Sequence, residues 1–220
     1  MQLSLDGAQL FAAAFNSDDL LHLEHSLEGV TLDRPGNRLS GIPALARLLA
    51  PTGSIGRSAA AHLGQRAKPV RALLFNKTMA HNWALGWHQD RTIVVRQRHD
   101  LSGFGNWTVK AGMLHVEPPF EILERMITLR LHLDDVGPRN APLLISPGSH
   151  ALGRIPEASI ERAIERLGTF ACLADRGDVW LYSTPILHAS EAAATPGGRR
   201  VLQVDYSADL LPEPLEWLGV

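Results

Sequence analysis

From residue 70 onward, short runs of β-branched and other apolar residues alternate with glycine and proline, and this pattern constrains the fold more than any other feature of the chain. The runs that have the length of a strand are VRALLFNK, RTIVVRQ, MITLRLHLDD, VWLYS and RVLQVDYS. Turn signals lie between them at Gly137-Pro138, Pro147-Gly148, Arg176-Gly177-Asp178 and Pro196-Gly197-Gly198. No regular alternation of strand and helix is present, so a doubly wound parallel sheet is disfavoured. The pattern predicts a mainly β protein built as an antiparallel sandwich or barrel.

Helical signals are concentrated before this β-rich part. Residues 42–50 carry an early proline and end at Pro51, as a short helix does. A second helix is predicted over 156–168, where apolar residues recur at helical spacing and Gly168 ends the pattern. With 220 residues, 45% of them hydrophobic, the chain can bury a sizeable core. We therefore expect one domain over 1–220, with a helical lead-in at 1–69 and a β core at 70–210.

Charge and composition narrow the class of partner. The formal net charge is -2 and no basic block is visible, so a nucleic-acid partner is not expected. No apolar run reaches the roughly 20 residues that a membrane span needs, and the N-terminus lacks the pattern of a signal peptide. The single Cys172 cannot form an internal disulfide. A cytoplasmic protein is the default expectation, and the oligomeric state is left open.

His88 and Asp90 stand two residues apart in the stretch LGWHQDRTIVV. Residues i and i+2 of a strand point to the same face, so this imidazole and carboxylate can converge on one point. Two histidines and one carboxylate form the facial metal site of non-haem Fe(II) oxygenases, and Mn(II) or Zn(II) would also suit such ligands. Alone, the pair is weak evidence, and a surface histidine and aspartate at the start of a strand is then the favoured interpretation.

His188 and Arg199 are candidates to complete such a site. His188 lies in an apolar setting, where a histidine can be a metal ligand or a satisfied core residue. Arg199 follows eleven residues later and opens the strand RRVLQVDY together with Arg200. A guanidinium that projects into a barrel needs an anion, and a carboxylate is its natural bidentate partner. One of the two arginines is expected to be a solvated strand end.

These residues, in this order, resemble the Fe(II)/2-oxoglutarate-dependent dioxygenases, and within them the phytanoyl-CoA dioxygenase family. The matching stretches are FNKTMAHNWALGWHQD, LDDVGPRNAPLLISPGSH, GDVWLYSTPILHAS and RRVLQVDYS, which together cover roughly residues 70–210. Ala141 departs from the pattern, because the family commonly has glycine there. The resemblance implies a double-stranded β-helix, that is, a jelly-roll or cupin-like barrel with flanking α-helices and a helical N-terminal part.

The resemblance also implies roles for individual residues. His88, Asp90 and His188 would hold Fe(II), while Arg199, assisted by Ser190, would bind the distal carboxylate of 2-oxoglutarate. Further candidates for cosubstrate binding are Lys77, Asn82 and Thr128. Lys77 can equally be an exposed lysine at a strand end, and Thr128 belongs to an alternating polar face that lines the barrel or faces water.

The implied reaction uses O₂ and 2-oxoglutarate to oxidise a small molecule, with succinate and CO₂ as products. A carboxylate at Asp90, where related halogenases have a small residue, favours hydroxylation or another oxidation over halogenation. The substrate itself is not readable from the sequence.

The segment 96–120 is unusually long for a barrel connection and carries aromatic and polar residues among glycines. Long mixed segments are often lids or substrate surfaces, so we expect a mobile lid over the iron. Its substrate candidates are Phe104, Trp107 and His115. The alternatives are a loop that covers a sheet edge and a structural role for His115.

Two other functions remain open at this stage. One is a non-catalytic barrel that binds a ligand or a partner, and the other is a cupin-type metalloenzyme that needs no cosubstrate. The set of His88, Asp90, His188 and Arg199 argues against the first. Arg199 and Lys77 argue against the second, because such an enzyme has no oxoglutarate carboxylate to bind.

Overall fold

The computed structural model describes residues 1–32, 34, 36–194 and 198–220. Its strands, in chain order, are β1 (Ala8–Phe11), β2 (Gly36–Leu39), β3 (Lys68–Lys77), β4 (Leu85–His88), β5 (Ile93–Val95), β6 (Gly105–Lys110), β7 (Met113–Glu117), β8 (Ile127–His132), β9 (Leu143–Ile145), β10 (Phe170–Cys172), β11 (Val179–Ser183), β12 (His188–Ser190) and β13 (Arg199–Ser207). Its α-helices are α1 (Leu3–Asp6), α2 (Ser17–Ser26), α3 (Pro43–Leu49), α4 (Gly56–Leu63), α5 (Phe120–Glu124) and α6 (Ile160–Leu167). The β-rich class predicted from the sequence is confirmed.

Two antiparallel sheets form a sandwich. The larger sheet has the order β1-β11-β8-β13-β3-β2, and the smaller one has the order β10-β9-β12-β4. Apolar side chains of both sheets meet between them, including Leu143 and Ile145 of the smaller sheet and Trp180 and Tyr182 of the larger one. The strands form open sheets rather than a closed barrel, as in the jelly-roll form of the double-stranded β-helix.

The two faces of the larger sheet differ in chemistry. Leu129 and Leu131 of β8 point outward and pack with α2, α3 and α4 in the main apolar cluster. Thr128, Arg130 and His132 alternate with them, so they point to the inner face. All three are buried, at 0%, 5% and 2% exposure, so this polar face lines the interior and does not face water. Polar side chains inside a sandwich indicate a site between the sheets.

The first 69 residues contain four of the helices, and they also contribute strands. β1 and β2 form the two edges of the six-stranded sheet, where β1 pairs with β11 and β2 pairs with β3. Both strands are only four residues long and include polar residues such as Gln9 and Asn37. Their pairing depends on the exposed edges of the core strands, which the local sequence does not reveal.

The segment 96–120 is not an irregular loop, which corrects the expectation from its glycines. β6 and β7 form a hairpin within it, and β7 also pairs with β5 to make a three-stranded sheet. Gly112, in the hairpin turn, has a φ of 78°, a conformation that glycine adopts without strain. The turn predicted at Pro196-Gly197-Gly198 lies outside the described residues except for Gly198. Among the described residues, no helix combines the length and the apolar character that crossing a membrane requires.

Candidate active site

Three side chains converge at the open end of the sandwich. His88 ends β4 and His188 begins β12, and these two residues are direct partners in the antiparallel pairing of the strands. Their ring centroids lie 4.3 Å apart. One ligand atom of each of His88, Asp90 and His188 lies within 4.8 Å of the others, a separation that one ion could span. The three residues therefore have the geometry and the chemistry of a metal site.

Both imidazoles are oriented by their own backbone. Nδ1 of His88 donates to the carbonyl of Gly86 at 2.8 Å, and Nδ1 of His188 donates to the carbonyl of Ile186 at 2.9 Å. This bond fixes the tautomer in which Nε2 carries the lone pair. Burial lowers the pKa of His188 to about 4, and the neighbouring His88 adds to the effect. His188 is therefore a neutral imidazole, the form that a metal requires, at neutral pH.

Asp90 lies beyond the end of β4, so strand alternation is not what brings it to His88. The intervening Gln89 is buried and anchors this segment, because its side-chain amide nitrogen donates to the carbonyls of Gly153 and Pro185. Its carbonyl oxygen accepts from the backbone of Ile155 at 2.9 Å. The predicted proximity of His88 and Asp90 is present, and the hydrogen bonds of Gln89 hold the segment that produces it.

Arg71 and Asp205 stand behind Asp90. Arg71 Nη2 lies 3.1 Å from Oδ2 of Asp90, and Arg71 Nε donates to Asp205. Burial alone would raise the pKa of Asp90, but the charge and the hydrogen bond of Arg71 hold that pKa below its usual value. Asp90 is therefore an anion that is already oriented toward the two histidines.

A cavity of about 230 Å³ opens beside the three side chains. Its polar lining comprises Arg38, Arg71, His88, Asp90, Thr92, Lys110, His115, Arg130, His188, Ser190, Arg199 and Gln203. Phe75, Trp83 and Leu143 supply apolar surface. The lining has several cationic side chains and, among the described residues, a single carboxylate, that of Asp90, so the cavity suits an anionic ligand.

Arg199 is buried in this cavity at 2% exposure and donates to the backbone carbonyl of Ala141. Its Nε has no hydrogen-bond partner, and no described carboxylate pairs with it. Burial lowers its pKa to about 9, and the positive charge of Arg130 adds to the effect. Arg200 points outward and binds Asp134 and Glu24. An unpaired buried guanidinium calls for an anionic ligand.

Ala141 adopts the left-handed conformation, with a φ of 50°. The turn at the departure from the family pattern therefore keeps a backbone that glycine would adopt more easily. Its carbonyl is the group that accepts from Arg199, so this turn positions the guanidinium.

Lys77 pairs with Arg199 across β3 and β13 and is only 1% exposed, so the alternative of an exposed lysine is wrong. Its ammonium donates to the carbonyl of Trp83 at 2.8 Å and to that of Glu191 at 2.5 Å. Ser190 Oγ lies 3.4 Å away and lines the cavity, whereas Lys77 stands behind it. Burial and the charges of Arg199 and Arg130 lower the pKa of Lys77 to about 8.

Two further cosubstrate candidates lie outside the cavity wall. Both ends of the Asn82 amide bind the backbone of Ala193, at 2.9 and 2.6 Å, so this side chain joins two loops. Thr128 is fully buried and donates to Asp205 at 3.0 Å, and its hydroxyl also lies 3.0 Å from that of Thr184. Thr128 belongs to the network that holds Arg71, and its hydroxyl is not presented to the cavity.

The three substrate candidates separate in the same way. Phe104 and Trp107 pack against a second apolar cluster beneath the hairpin, which includes Val95 and Val116. His115, on the other strand of that hairpin, is 0% exposed and lines the cavity. The hairpin thus reaches the site through His115 and Lys110, while its aromatic residues serve its packing. Whether it moves as a lid stays a prediction.

Of the buried polar residues that connect the site, sequence reasoning missed Arg71, Gln203 and Asp205, and it identified Arg130 only as part of a polar strand face. Arg71, Arg130, Gln203 and Asp205 all lie on inner faces of the larger sheet, and Arg130 donates to Gln203 at 2.7 Å. A signal was present, since each of these charged or amide side chains interrupts an otherwise apolar strand at alternate positions. Their partners lie far away along the chain, and only the fold makes the pairing visible.

A jelly-roll sandwich that brings two histidines and one carboxylate to an open cavity is the arrangement of the non-haem iron oxygenase class. The sequence profile described as Phytanoyl-CoA dioxygenase (PhyH) matches residues 41–201. The chain therefore belongs to the phytanoyl-CoA dioxygenase family, and the membership predicted from its motifs is confirmed. A search of curated proteins finds no match.

Solved structures share the fold. EctD from S. alaskensis, in a structure with 2-oxoglutarate and 5-hydroxyectoine, superposes with a TM-score of 0.69 at 19% identity, over 99% of this chain and 77% of EctD. HygX from Streptomyces hygroscopicus, with nickel and 2-oxoglutarate bound, gives 0.62 at 18% identity, over 93% and 84%. SnoN, a non-heme alpha ketoglutarate dependent epimerase from nogalamycin biosynthesis, gives 0.65 at 14% identity, over 93% and 77%.

Proposed function

We propose that this protein is an Fe(II)- and 2-oxoglutarate-dependent oxygenase that oxidises a small molecule. The observation that carries the proposal is one cavity that contains both the His88–Asp90–His188 cluster and the unpaired, buried Arg199. Membership of the phytanoyl-CoA dioxygenase family supports it. Solved structures of HygX and EctD, which share the fold, hold 2-oxoglutarate.

The donor set fits iron. Two imidazoles whose Nδ1 donates to a backbone carbonyl, which leaves Nε2 for a metal, and one ionised carboxylate suit Fe(II), and three ligands leave coordination positions open. His88, Asp90 and His188 would hold the metal, and Arg71 would hold Asp90 in position from behind. The hydrogen bonds to the backbone keep both rings in place before any metal arrives.

The basic end of the cavity fits 2-oxoglutarate, which carries two carboxylates. Arg199 would bind the distal carboxylate as a charge-assisted pair, and Ser190 would add a hydroxyl donor. Lys77 would not contact the cosubstrate itself. Its ammonium lies 3.4 Å from Ser190 Oγ and would hold that hydroxyl in position. Arg130, whose Nε also has no hydrogen-bond partner in the part of the chain that the structure describes, adds positive charge at the same end.

With Fe(II), 2-oxoglutarate and O₂ bound, sites of this class oxidatively decarboxylate the cosubstrate to succinate and CO₂ and use the second oxygen atom to oxidise the substrate. The residues of this chain supply binding and orientation. Arg199 and Ser190 would set the direction of the cosubstrate relative to His88 and His188. The apolar Phe75, Trp83 and Leu143 would limit the access of water to the cavity.

Hydroxylation is the outcome we propose. Asp90 occupies the third ligand position, so no protein position is vacated for a halide. SnoN is an epimerase with the same fold, so the fold alone is compatible with more than one oxidative outcome. The substrate determines which outcome follows, and product analysis is the means of assigning it.

Turnover of 2-oxoglutarate tests the proposal without a known substrate. Purified protein is incubated with Fe(II), ascorbate and 2-oxoglutarate in air, and succinate is quantified. We expect slow succinate formation that requires Fe(II) and O₂ and is abolished in His188→Ala. His22→Ala, a change at an exposed histidine of α2, is the matched control and should retain the activity. Equal succinate formation by wild type and His188→Ala would contradict the proposal.

A cupin-type metalloenzyme without cosubstrate is the competing function. Such an enzyme would need the metal site formed by His88, Asp90 and His188. It would bind no anionic cosubstrate that could pair with the buried guanidinium of Arg199. The cost of burying Arg199 unpaired therefore favours the cosubstrate-dependent enzyme.

A further inference from the structure

A second group of basic residues lines the same cavity, away from Arg199. Arg38 comes from β2 at the sheet edge, and Lys110 ends β6 of the hairpin. Both line the cavity together with His115 of β7. The hairpin and the sheet edge thus approach each other across the cavity, and each brings a cation.

Arg38 has no partner among the described residues. Its Nε is buried without a hydrogen bond, and none of the ion pairs between described residues includes Arg38 or Lys110. Burial lowers the pKa of Arg38, and the nearby charge of Arg71 adds to the effect. A partly buried guanidinium that lacks an anion is costly unless a ligand supplies one.

This group is distinct from the cosubstrate end. Arg71 and Lys77 are six positions apart on β3, which is roughly 20 Å at about 3.3 Å per residue. Arg199 pairs with Lys77 at one end of that strand. Arg38 pairs with Leu73, two positions from Arg71, and Arg71 contacts Asp90. The Arg38 group therefore lies on the metal side of the cavity, where a substrate has to approach.

His115 adds a second requirement, because the ligand must also offer it a hydrogen-bond donor. Its Nδ1 donates to the carbonyl of Met113 at 2.9 Å, and its Nε2 is buried and has no hydrogen-bond partner among the described residues. Burial lowers the pKa of His115 to about 4, so the ring is neutral and Nε2 is a hydrogen-bond acceptor. A hydroxyl or an amine on the ligand would satisfy it, whereas a carboxylate oxygen would not.

We infer that the substrate is an anionic small molecule, a carboxylate or a phosphate monoester, whose charge is bound by Arg38 and Lys110 and whose neighbouring O–H or N–H donates to His115. The inference rests on the proposed function, since it assigns the substrate class of that same site. The cavity of about 230 Å³ also has to admit 2-oxoglutarate, so the reacting part of the substrate is small.

The test uses the visible charge-transfer band of the anaerobic complex with Fe(II) and 2-oxoglutarate, which shifts when a ligand binds beside the metal. The probes are short-chain 3-hydroxy acids, with the corresponding unsubstituted acids, 3-hydroxy amides and 3-hydroxyalkyl phosphates. We expect the hydroxy acids or the hydroxyalkyl phosphates to shift the band at the lowest concentrations, the unsubstituted acids to bind more weakly, and the amides to bind least. The acid and phosphate series distinguish the two kinds of anion.

Arg38→Gln should weaken anion binding about tenfold or more, because a hydrogen bond to a charged group is lost. Its effect on the concentration of 2-oxoglutarate needed for the band should be much smaller. Arg47→Gln, at an exposed position of α3, is the charge-matched control and should behave as wild type.

Three results would overturn the inference. The first is amides that bind as well as acids and phosphates, and the second is a band that no anion shifts. The third is an Arg38→Gln variant whose affinity for 2-oxoglutarate falls as much as its affinity for the anion. If the band never forms with Fe(II) and 2-oxoglutarate, the proposed function itself fails, and that result is distinct from a band that anions do not shift.

Discussion

Arg71 holds the carboxylate of Asp90 from behind, with Nη2 3.1 Å from Oδ2, while its Nε donates to the buried Asp205. The guanidinium of Arg71 thus connects the candidate metal site to the interior of the larger sheet. Thr128 extends the connection, since it donates to Asp205 at 3.0 Å. The position of Asp90 therefore depends on residues that are not themselves proposed metal ligands.

Arg71→Met is expected to lower metal affinity about 10- to 100-fold, as loss of a partner that orients a ligand typically does. It should also destabilise the fold by roughly 3–5 kcal/mol, because Asp205 is left buried without its counter-charge. The double variant Arg71→Met/Asp205→Asn removes that charge and should recover much of the stability while the metal defect persists. Calorimetric titration with Ni(II) or Co(II) measures the affinity, and a wild-type value in the double variant would refute the role.

Arg199→Ala is expected to raise the Kd for 2-oxoglutarate about 10- to 150-fold, the loss that corresponds to roughly 1.5–3 kcal/mol for a hydrogen bond to a charged group. Arg200→Ala should leave this Kd near the wild-type value, since Arg200 binds Asp134 and Glu24 on the outer side. The two variants remove the same charge from neighbouring positions, so they differ only in whether the lost arginine points into the cavity or away from it. Equal effects, or a larger effect at Arg200, would contradict the assignment.

His132 should make the protein less stable in acid. Burial lowers its pKa to about 3, and the charges of Arg130 and Arg199 add to the effect, whereas an unfolded histidine has a pKa near 6.5. Between these values the unfolded chain binds the additional proton, so the stability contribution is present above about pH 6.5 and is lost as the pH falls toward 3. The free energy of unfolding should fall by about 1.4 kcal/mol more per pH unit in wild type than in His132→Phe. Urea denaturation at several pH values measures it, and parallel curves would count against it.

The hairpin of β6 and β7 is expected to respond to ligands. β7 is paired on both sides and should be protected from hydrogen exchange throughout, whereas β6 is an edge strand with mostly exposed residues. Because Lys110 and His115 line the cavity, ligand binding should slow exchange in 105–110. Exchange in α2, which packs in the main apolar cluster and has no residue in the cavity lining, serves as the internal reference. Unchanged exchange in β6 with metal, 2-oxoglutarate and a binding anion present would argue against a lid.

The strands that could be predicted from the sequence are those with long runs of apolar and β-branched residues. β3, β8, β11 and β13 fall where their runs indicate, and together they form the centre of the larger sheet. β4, β9 and β12 are three or four residues long, and their pairing with one another, rather than their composition, makes them strands. The glycines of 96–120 concealed β6 and β7, because a hairpin turn and a loop use the same residues.

The residues of the candidate site also divide into those that the sequence could predict and those that it could not. His88, Asp90, His188 and Arg199 could be recognised because their spacing along the chain has a geometric meaning and matches a family pattern. Arg71, Arg130 and Asp205 could not, since their roles come from partners on other strands. Asn82 and Thr128 illustrate the reverse, because polar residues near a site in sequence are often used to hold loops and sheets together.

Anaerobic titration of Fe(II), with and without 2-oxoglutarate, tests the central claim most directly. The account predicts a weak visible charge-transfer band that requires both components, is absent in His188→Ala and needs more 2-oxoglutarate in Arg199→Ala. Iron binding that 2-oxoglutarate leaves spectroscopically unchanged would indicate a metalloenzyme without this cosubstrate. No iron binding by the wild-type protein would contradict the metal site formed by His88, Asp90 and His188, and the proposed function with it.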